Sequence, residues 1–301
     1  MEKTIICWWS GGVTSAVACY LAIDLFKNKY NIRVIMIDTE NEDEDTYRFK
    51  SDCEKWYNQE IEVITGIGDD YNNIEDVWVK HKSLNVSTGA ICSTQLKRRV
   101  RERFQKVNEY EYQVFGFEFD KKECNRALSL DMNHPKAKGI FPLLMMAYGK
   151  DDCLKIVEEA GIEIPRMYKL GFRNNNCFKT GCVQGGVGYW QKIQREFPDK
   201  FDKMADLEHR LTDLRGEPVT MLKDQSSEAK NKVDSTGIDY MNLVFLKKND
   251  KYPELKCLAD MKPQEVKPLF ECNGFCSIND LNKISETEKE INYSKQLSLD
   301  L

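Results

Sequence analysis

Histidine is scarce in this chain: His81, His134 and His209 are all that its 301 residues contain. That argues against a His-rich metal centre. No apolar run approaches the ~20 residues that a membrane-spanning helix needs, so no membrane partner is expected. A global excess of basic charge is also missing. The net charge is −5, and any surface for nucleic acid would have to be local. There are no internal repeats and no low-complexity tracts. The start, Met1-Glu2-Lys3, runs straight into an apolar strand pattern. It lacks the basic start, apolar core and small-residue cleavage site of a secretory signal, and a cytoplasmic protein is expected.

Cysteine, by contrast, is plentiful, with eleven residues. In a reducing compartment, spaced cysteines read as metal or redox sites before they read as disulfides. The length suits one large domain or two ordinary ones.

The chain is organised around Ser10-Gly11-Gly12-Val13-Thr14-Ser15. An apolar run from Thr4 to Trp9 precedes it and reads as a buried strand. An apolar-periodic stretch from Ala16 to Phe26 follows and reads as a helix. A strand, a Gly-Gly turn and a helix N-terminus make an anion site: unpaired N–H groups point outward and the helix dipole adds positive potential. Ser10, Thr14 and Ser15 add hydroxyl donors. No Gly-Lys-Ser/Thr follows, so this is not a Walker A loop.

A second strand pattern, Asn31 to Asp38, gives a parallel βαβ unit. It ends in Asp38-Thr39-Glu40, on the carboxyl edge where open parallel sheets bind ligands. A helix over 42–58, a strand from Glu60 to Thr65 and a short helix from Ile74 to Lys82 follow. Ser93 or Thr94 is the expected cap of a helix reaching about Val107. Lys97, Arg98, Arg99, Arg101 and Arg103 crowd that helix. They read either as a solvated basic face or as a contact for a nucleotide or an RNA backbone. Tyr110 to Phe117 reads as a strand, and Lys150 to Ala160 as an amphipathic helix stopped by Gly161. Residues 223–236 read as a mobile loop or a boundary.

These motifs together resemble the phosphoadenosine phosphosulfate reductase group of the PP-loop, or adenine nucleotide alpha-hydrolase, superfamily. Ser10 to Ser15 corresponds to its Ser-Gly-Gly-x-x-Ser loop. Asp38-Thr39-Glu40, then Cys92 with Leu96 and Lys97, then Gly116 to Arg126 in part, match later elements in order. Pro142-Leu143, the run Ile162 to Phe172, and the pair Cys177 and Cys182 complete the series. Two departures stand out. Val13-Thr14 replaces the usual Lys-Asp of the loop. The family's C-terminal Glu-Cys-Gly-Leu-His tail has only a partial counterpart in Glu271-Cys272-Asn273-Gly274-Phe275-Cys276.

The resemblance implies an α/β fold: a Rossmann-like parallel twisted sheet flanked by helices over residues 1–170. A smaller, mainly helical, cysteine-bearing region is expected over 171–301. It implies ATP with magnesium as ligand. Ser10, Gly11, Gly12, Thr14, Ser15, Asp38, Thr39, Gly116 and Arg126 would be the nucleotide residues, and Lys97 the cation at the reacting phosphate. Adenylylation of an acceptor with pyrophosphate release is the leading reaction, with a nucleic-acid base as one candidate acceptor through the helix at 97–103. Reduction of a sulfonucleotide by Cys272 or Cys276 is the alternative. A non-catalytic nucleotide sensor or a subunit of a larger assembly is a third reading, and a homo-oligomer is a further partner expectation for the chain. Cys92, Cys177 and Cys182, with Cys276 or Cys272 or an open fourth position, suit a 4Fe–4S cluster or zinc by donor type, and the resemblance favours iron–sulfur. Cys7, Cys19, Cys53 and Cys153 fall in strand or helix patterns and read as core fillers.

Overall fold

The computed structural model describes residues 3–86, 89–267 and 269. Cys272 and Cys276 lie outside the described residues.

β1 (Thr4–Trp9) leads into α1 (Val13–Phe26), β2 (Asn31–Asp38), α2 (Glu44–Tyr57), β3 (Ile61–Thr65) and α3 (Ile74–His81). A short hairpin, β4 (Asn85–Val86) with β5 (Gly89–Ala90), precedes α4 (Ile91–Ser93), a π-helical stretch Thr94–Arg98, and α5 (Arg99–Val107). β6 (Tyr112–Val114), α6 (Lys121–Asn133), β7 (Gly139–Ile140), α7 (Pro142–Met145) and α8 (Lys150–Glu159) complete the sheet. Then come α9 (Arg166–Lys169), α10 (Val187–Glu196), α11 (Pro198–Arg215), β8 (Leu222–Lys223), α12 (Ser227–Thr236), β9 (Leu243–Phe245) and β10 (Lys256–Cys257).

The main sheet is parallel throughout, in the order β3-β2-β1-β6-β7. β1 sits at the centre and is buried on both faces, as a strand between two helical layers must be. Period-two alternation divides its side chains. Ile5, Cys7 and Trp9 pack with α1, α2 and α8, whereas Ile6 and Trp8 pack with Phe115, Phe117 and α6. The chain winds from β1 out to β3 on one side and then returns to β6 on the other. The switch in direction falls beside β1, which is where such sheets open a ligand crevice. Cys7, Cys19, Cys53 and Cys153 are fully buried in the α1 face, as core fillers should be.

A separate core joins Tyr71–Leu96 to Met167–Leu258, so it draws on both sides of residue 170. This region is mainly helical, as expected, and also carries a small three-stranded sheet, β10-β9-β8. Its strands have two or three residues, too short to show a period. Its anchor is Glu208 of α11, a fully buried carboxyl that accepts from the N–H groups of Met221 (2.7 Å) and Leu246 (2.7 Å). Burial pushes its pKa up to about 8.

Residues 227–236 are helical rather than a loop. Ser226 caps α12 by accepting from Ala229 N–H. Only Ala229 is buried on this helix, so the sequence has no apolar stripe to reveal it.

Asp224 joins the parts of the small sheet. It accepts from Lys256 Nζ at 2.8 Å and from Ser226 N–H at 3.0 Å. The Lys256 hydrogen bond is the chief reason its carboxyl is held down at about 2. The folded pKa lies below the unfolded one, so Asp224 stabilises the fold above about pH 4 and loses that effect as pH falls toward 2. Asp224→Asn is therefore expected to lower the melting temperature at pH 7. Thermal unfolding followed by circular dichroism should show the gap from wild type closing across the acid range.

Candidate functional site at the carboxyl edge

α1 begins without the side-chain cap that α2, α3 and α6 have. Asp43, Asn73 and Asp120 accept N–H bonds at the starts of α2, α3 and α6. Gly12 at the start of α1 has no side chain to do so, and the first turn carries no acid. The first N–H groups of a helix lack intrahelical partners, so this end suits an anion. Val13 N–H is directed to Tyr168 Oη at 3.3 Å.

The loop before α1 is braced from inside. Ser15 Oγ donates to Gly12 C=O at 2.9 Å and accepts from Ser10 N–H at 3.0 Å. Ser10 Oγ lies 3.0 Å from Ser15 Oγ. Gly11 has a φ of +87°, and a Cβ there would sit 2.8 Å from Thr46 Cγ2. Gly116 follows β6 and packs on the same turn, where a Cβ would meet Ser15 Cα at 2.6 Å and Ser15 N at 2.7 Å. Its glycine thus serves backbone packing against the loop.

Asp38 and Thr39 leave β2 on the same edge. Asp38 accepts from Tyr47 Oη (3.0 Å) and from Glu40 N–H (2.7 Å). Thr39 is buried, with its hydroxyl 3.4 Å from Glu42 Oε1. Arg126 is buried on α6, paired with Glu123 at 2.5 Å and set over the Phe117 ring at 4.7 Å.

Beside this edge lies a cleft with about 360 Å³ of empty space, open to solvent. Thr39, Asn41, Cys92, Lys97, Cys177 and Cys182 line it, and Ile74 and Trp78 of α3 form an apolar wall. The structure thus brings Lys97 and three of the expected ligand cysteines together next to Thr39. Lys97 is buried and lies 3.7 Å from Glu42. Glu42 also accepts from Cys177 N–H at 3.1 Å. Burial raises the Glu42 pKa, with Lys97 opposing that shift. A hydrogen bond with Cys182, and then burial, push the Cys177 thiol well up.

The helix carrying Lys97 differs from the expectation. It starts at Ile91 with Ala90 as its cap residue, and Ser93 and Thr94 already have helical angles. A π-helical stretch, Thr94–Arg98, then follows within the helical run. Ile91 and Leu96 both face the core although they are five apart, a spacing that a 3.6-residue period misses. The same stretch turns Lys97 inward. The basic run is consequently divided: Lys97 and Arg101 are buried, Arg98 pairs with Glu102, Arg103 pairs with Asp69, and Arg99 is exposed. No single basic face results.

The cysteine donor set fits a thiolate-held group: three soft donors on one cleft, from two separate stretches of chain. Binding there would have to displace the thiol protons. Among the described residues, no group of three or more His, Cys, Asp or Glu side chains is disposed to hold a metal ion.

Sequence reasoning missed Glu42 and the run Asn174-Asn175-Asn176. All four are buried. Three consecutive amides directly before Cys177 were the available signal. Asn175 Nδ2 donates to Gly11 C=O at 3.0 Å and to Thr46 Oγ1 at 2.9 Å.

Lys97→Met would leave Glu42 buried without its lysine. Breaking a buried pair in this way costs about 3–5 kcal/mol. Chemical denaturation should show a loss of this order, with part of it regained in the Glu42→Gln/Lys97→Met double variant.

No curated protein sequence matches the chain. Several solved structures resemble it, two of them as follows. One is phosphoadenylyl-sulfate (PAPS) reductase from Candida auris in a phosphate complex, at 15% identity and a TM-score of 0.42, covering 58% of this chain and 81% of that one. The other is the U34-tRNA thiolase NcsA from Methanococcus maripaludis with its 4Fe–4S cluster. It has 17% identity and a TM-score of 0.41, covering 70% of this chain and 72% of that one. Residues 4–183 match the phosphoadenosine phosphosulfate reductase domain, and the chain belongs to that family.

Proposed function

We propose that the chain binds ATP with magnesium at the Ser10–Ser15 loop and adenylylates an acceptor, with sulfur transfer or redox chemistry at the adjoining thiol cleft. The observation that carries this reading is the shared position of the two sites. Thr39, Lys97 and three cysteines line one cleft on the edge to which the phosphate loop belongs.

In such a reaction the acceptor oxygen attacks the α-phosphorus. The bond to the bridging oxygen breaks, and pyrophosphate leaves. Negative charge grows on the α-phosphate, and donors fixed in advance stabilise it best. The N-terminal amides of α1 and the Lys97 ammonium are the candidates. Asp38 and Thr39 would border the adenosine.

Charge balance supports a magnesium-bound ligand. Lys97 pairs with Glu42, Arg126 with Glu123, Lys150 with Glu118 and Arg166 with Asp43. Each of these cations already shares its charge with a carboxylate, so a polyphosphate would need magnesium in addition to Lys97. Cys92, Cys177 and Cys182, with Cys272 or Cys276 as the fourth ligand, would hold an iron–sulfur group. Such a group supplies labile sulfur or electrons.

The family also motivates a second reading, sulfite release from a sulfonucleotide through Cys272 or Cys276. A product assay on anaerobically purified protein separates the two. With magnesium ATP and bulk RNA as acceptor, pyrophosphate is expected. With phosphoadenosine phosphosulfate and a dithiol reductant, no sulfite is expected. Sulfite release that is lost in Cys272→Ala or Cys276→Ala would overturn the adenylylation reading. Cys177→Ala is expected to lower the bound iron and acid-labile sulfide.

A further inference from the structure

Asn175 lies between the two halves of the site. It is fully buried, and its amide group makes two donations, to Gly11 C=O and to Thr46 Oγ1. Its own Oδ1 has no partner. A buried amide with an unmet acceptor is unfavourable. What favours asparagine here is therefore the donor side, and one of its two targets is the glycine that turns the phosphate loop.

Two residues later the chain reaches Cys177. Two residues span at most about 7 Å, so there is little slack between them. Cys177 is held in turn. Its φ is +64°, a left-handed conformation uncommon for a residue with a side chain. Its N–H is fixed on Glu42. The following residues are tied to the same edge: Lys179 N–H donates to Asn41 C=O at 3.1 Å, and Asn41 Nδ2 donates to Thr180 Oγ1 at 2.9 Å. A shift of Cys177 is therefore transmitted back along the chain to Asn175. From there it reaches the Gly11 peptide.

We infer that Asn175 is a positioning residue that couples the phosphate loop to the thiol cleft, so that a change at Cys177 or Cys182 alters the conformation of residues 10–15. The functional meaning rests on the nucleotide reading above. The coupling itself is a property of the chain and can be measured without a nucleotide.

The test is amide hydrogen exchange in peptides spanning residues 8–17. It is recorded before and after reaction with methyl methanethiosulfonate, with the adduct mapped to Cys177 or Cys182. In wild type, modification should speed exchange roughly five-fold or more, the signature of local opening. Dithiothreitol should reverse it. In Asn175→Val the loop should exchange fast from the start and not respond further. Thr46→Val removes the other acceptor, keeps the Gly11 link, and should respond as wild type does. An unchanged wild-type loop would overturn the coupling, and so would an undiminished response in Asn175→Val. The wild-type arm decides the matter even where Asn175→Val does not fold. Failure of magnesium ATP to bind the unmodified protein would reject the nucleotide reading alone and leave the exchange result standing.

Discussion

The Glu42 carboxylate holds the site together. It leaves the end of β2 buried, and two partners from distant parts of the chain meet on it. Lys97 approaches from the π-helical stretch, and the Cys177 N–H from the cysteine loop. A buried carboxylate is unfavourable unless it is paired and hydrogen-bonded. Each partner is thus fixed by the need to satisfy the same group. The result is a lysine and a thiol pair set against the edge of a sheet that already carries an anion loop. That carboxylate holds the cysteine loop at Cys177, beside the bonds that Asn175, Lys179 and Thr180 make to the same edge.

The remaining features follow from this arrangement. Residues 174–182 form a strap across the carboxyl edge, bonded to Gly11, Thr46, Asn41 and Glu42. The third core supports the strap from behind through Phe172, Phe178 and Tyr189, whose rings pack edge to face. Tyr189 also places its hydroxyl 3.0 Å from Cys182 N–H. Cys177 and Cys182 come from the second half of the chain and are mounted on the first, which supplies Cys92.

The two halves were unequally legible in sequence. β1, the Gly-Gly loop and α1 could be read directly, because a buried strand, a glycine turn and an uncapped apolar helix each leave a local pattern. Cys177 and Cys182 could be read by type and spacing and Cys92 through the family resemblance, and the three do share a cleft. Glu42 and Asn175 could not be read, since their importance lies in partners distant in sequence: Lys97 and Cys177 for Glu42, Gly11 and Thr46 for Asn175. The π-helical stretch escaped because its five-residue spacing imitates a broken helix. It also turns inward a lysine that had looked like part of a basic surface. β8, β9 and β10 are too short to have a period, and what holds β8 and β9 in place is a carboxylate on another helix.

Ligand-dependent thermal stability of anaerobically purified protein tests the central claim most directly. The ligands to compare are ATP, adenosine phosphosulfate and phosphoadenosine phosphosulfate, each with and without magnesium. A ligand at one hundred times its dissociation constant should add about 2.7 kcal/mol, a clear shift in melting temperature. The account predicts stabilisation by ATP that depends on magnesium. Selective stabilisation by a sulfonucleotide, indifferent to magnesium, would contradict it.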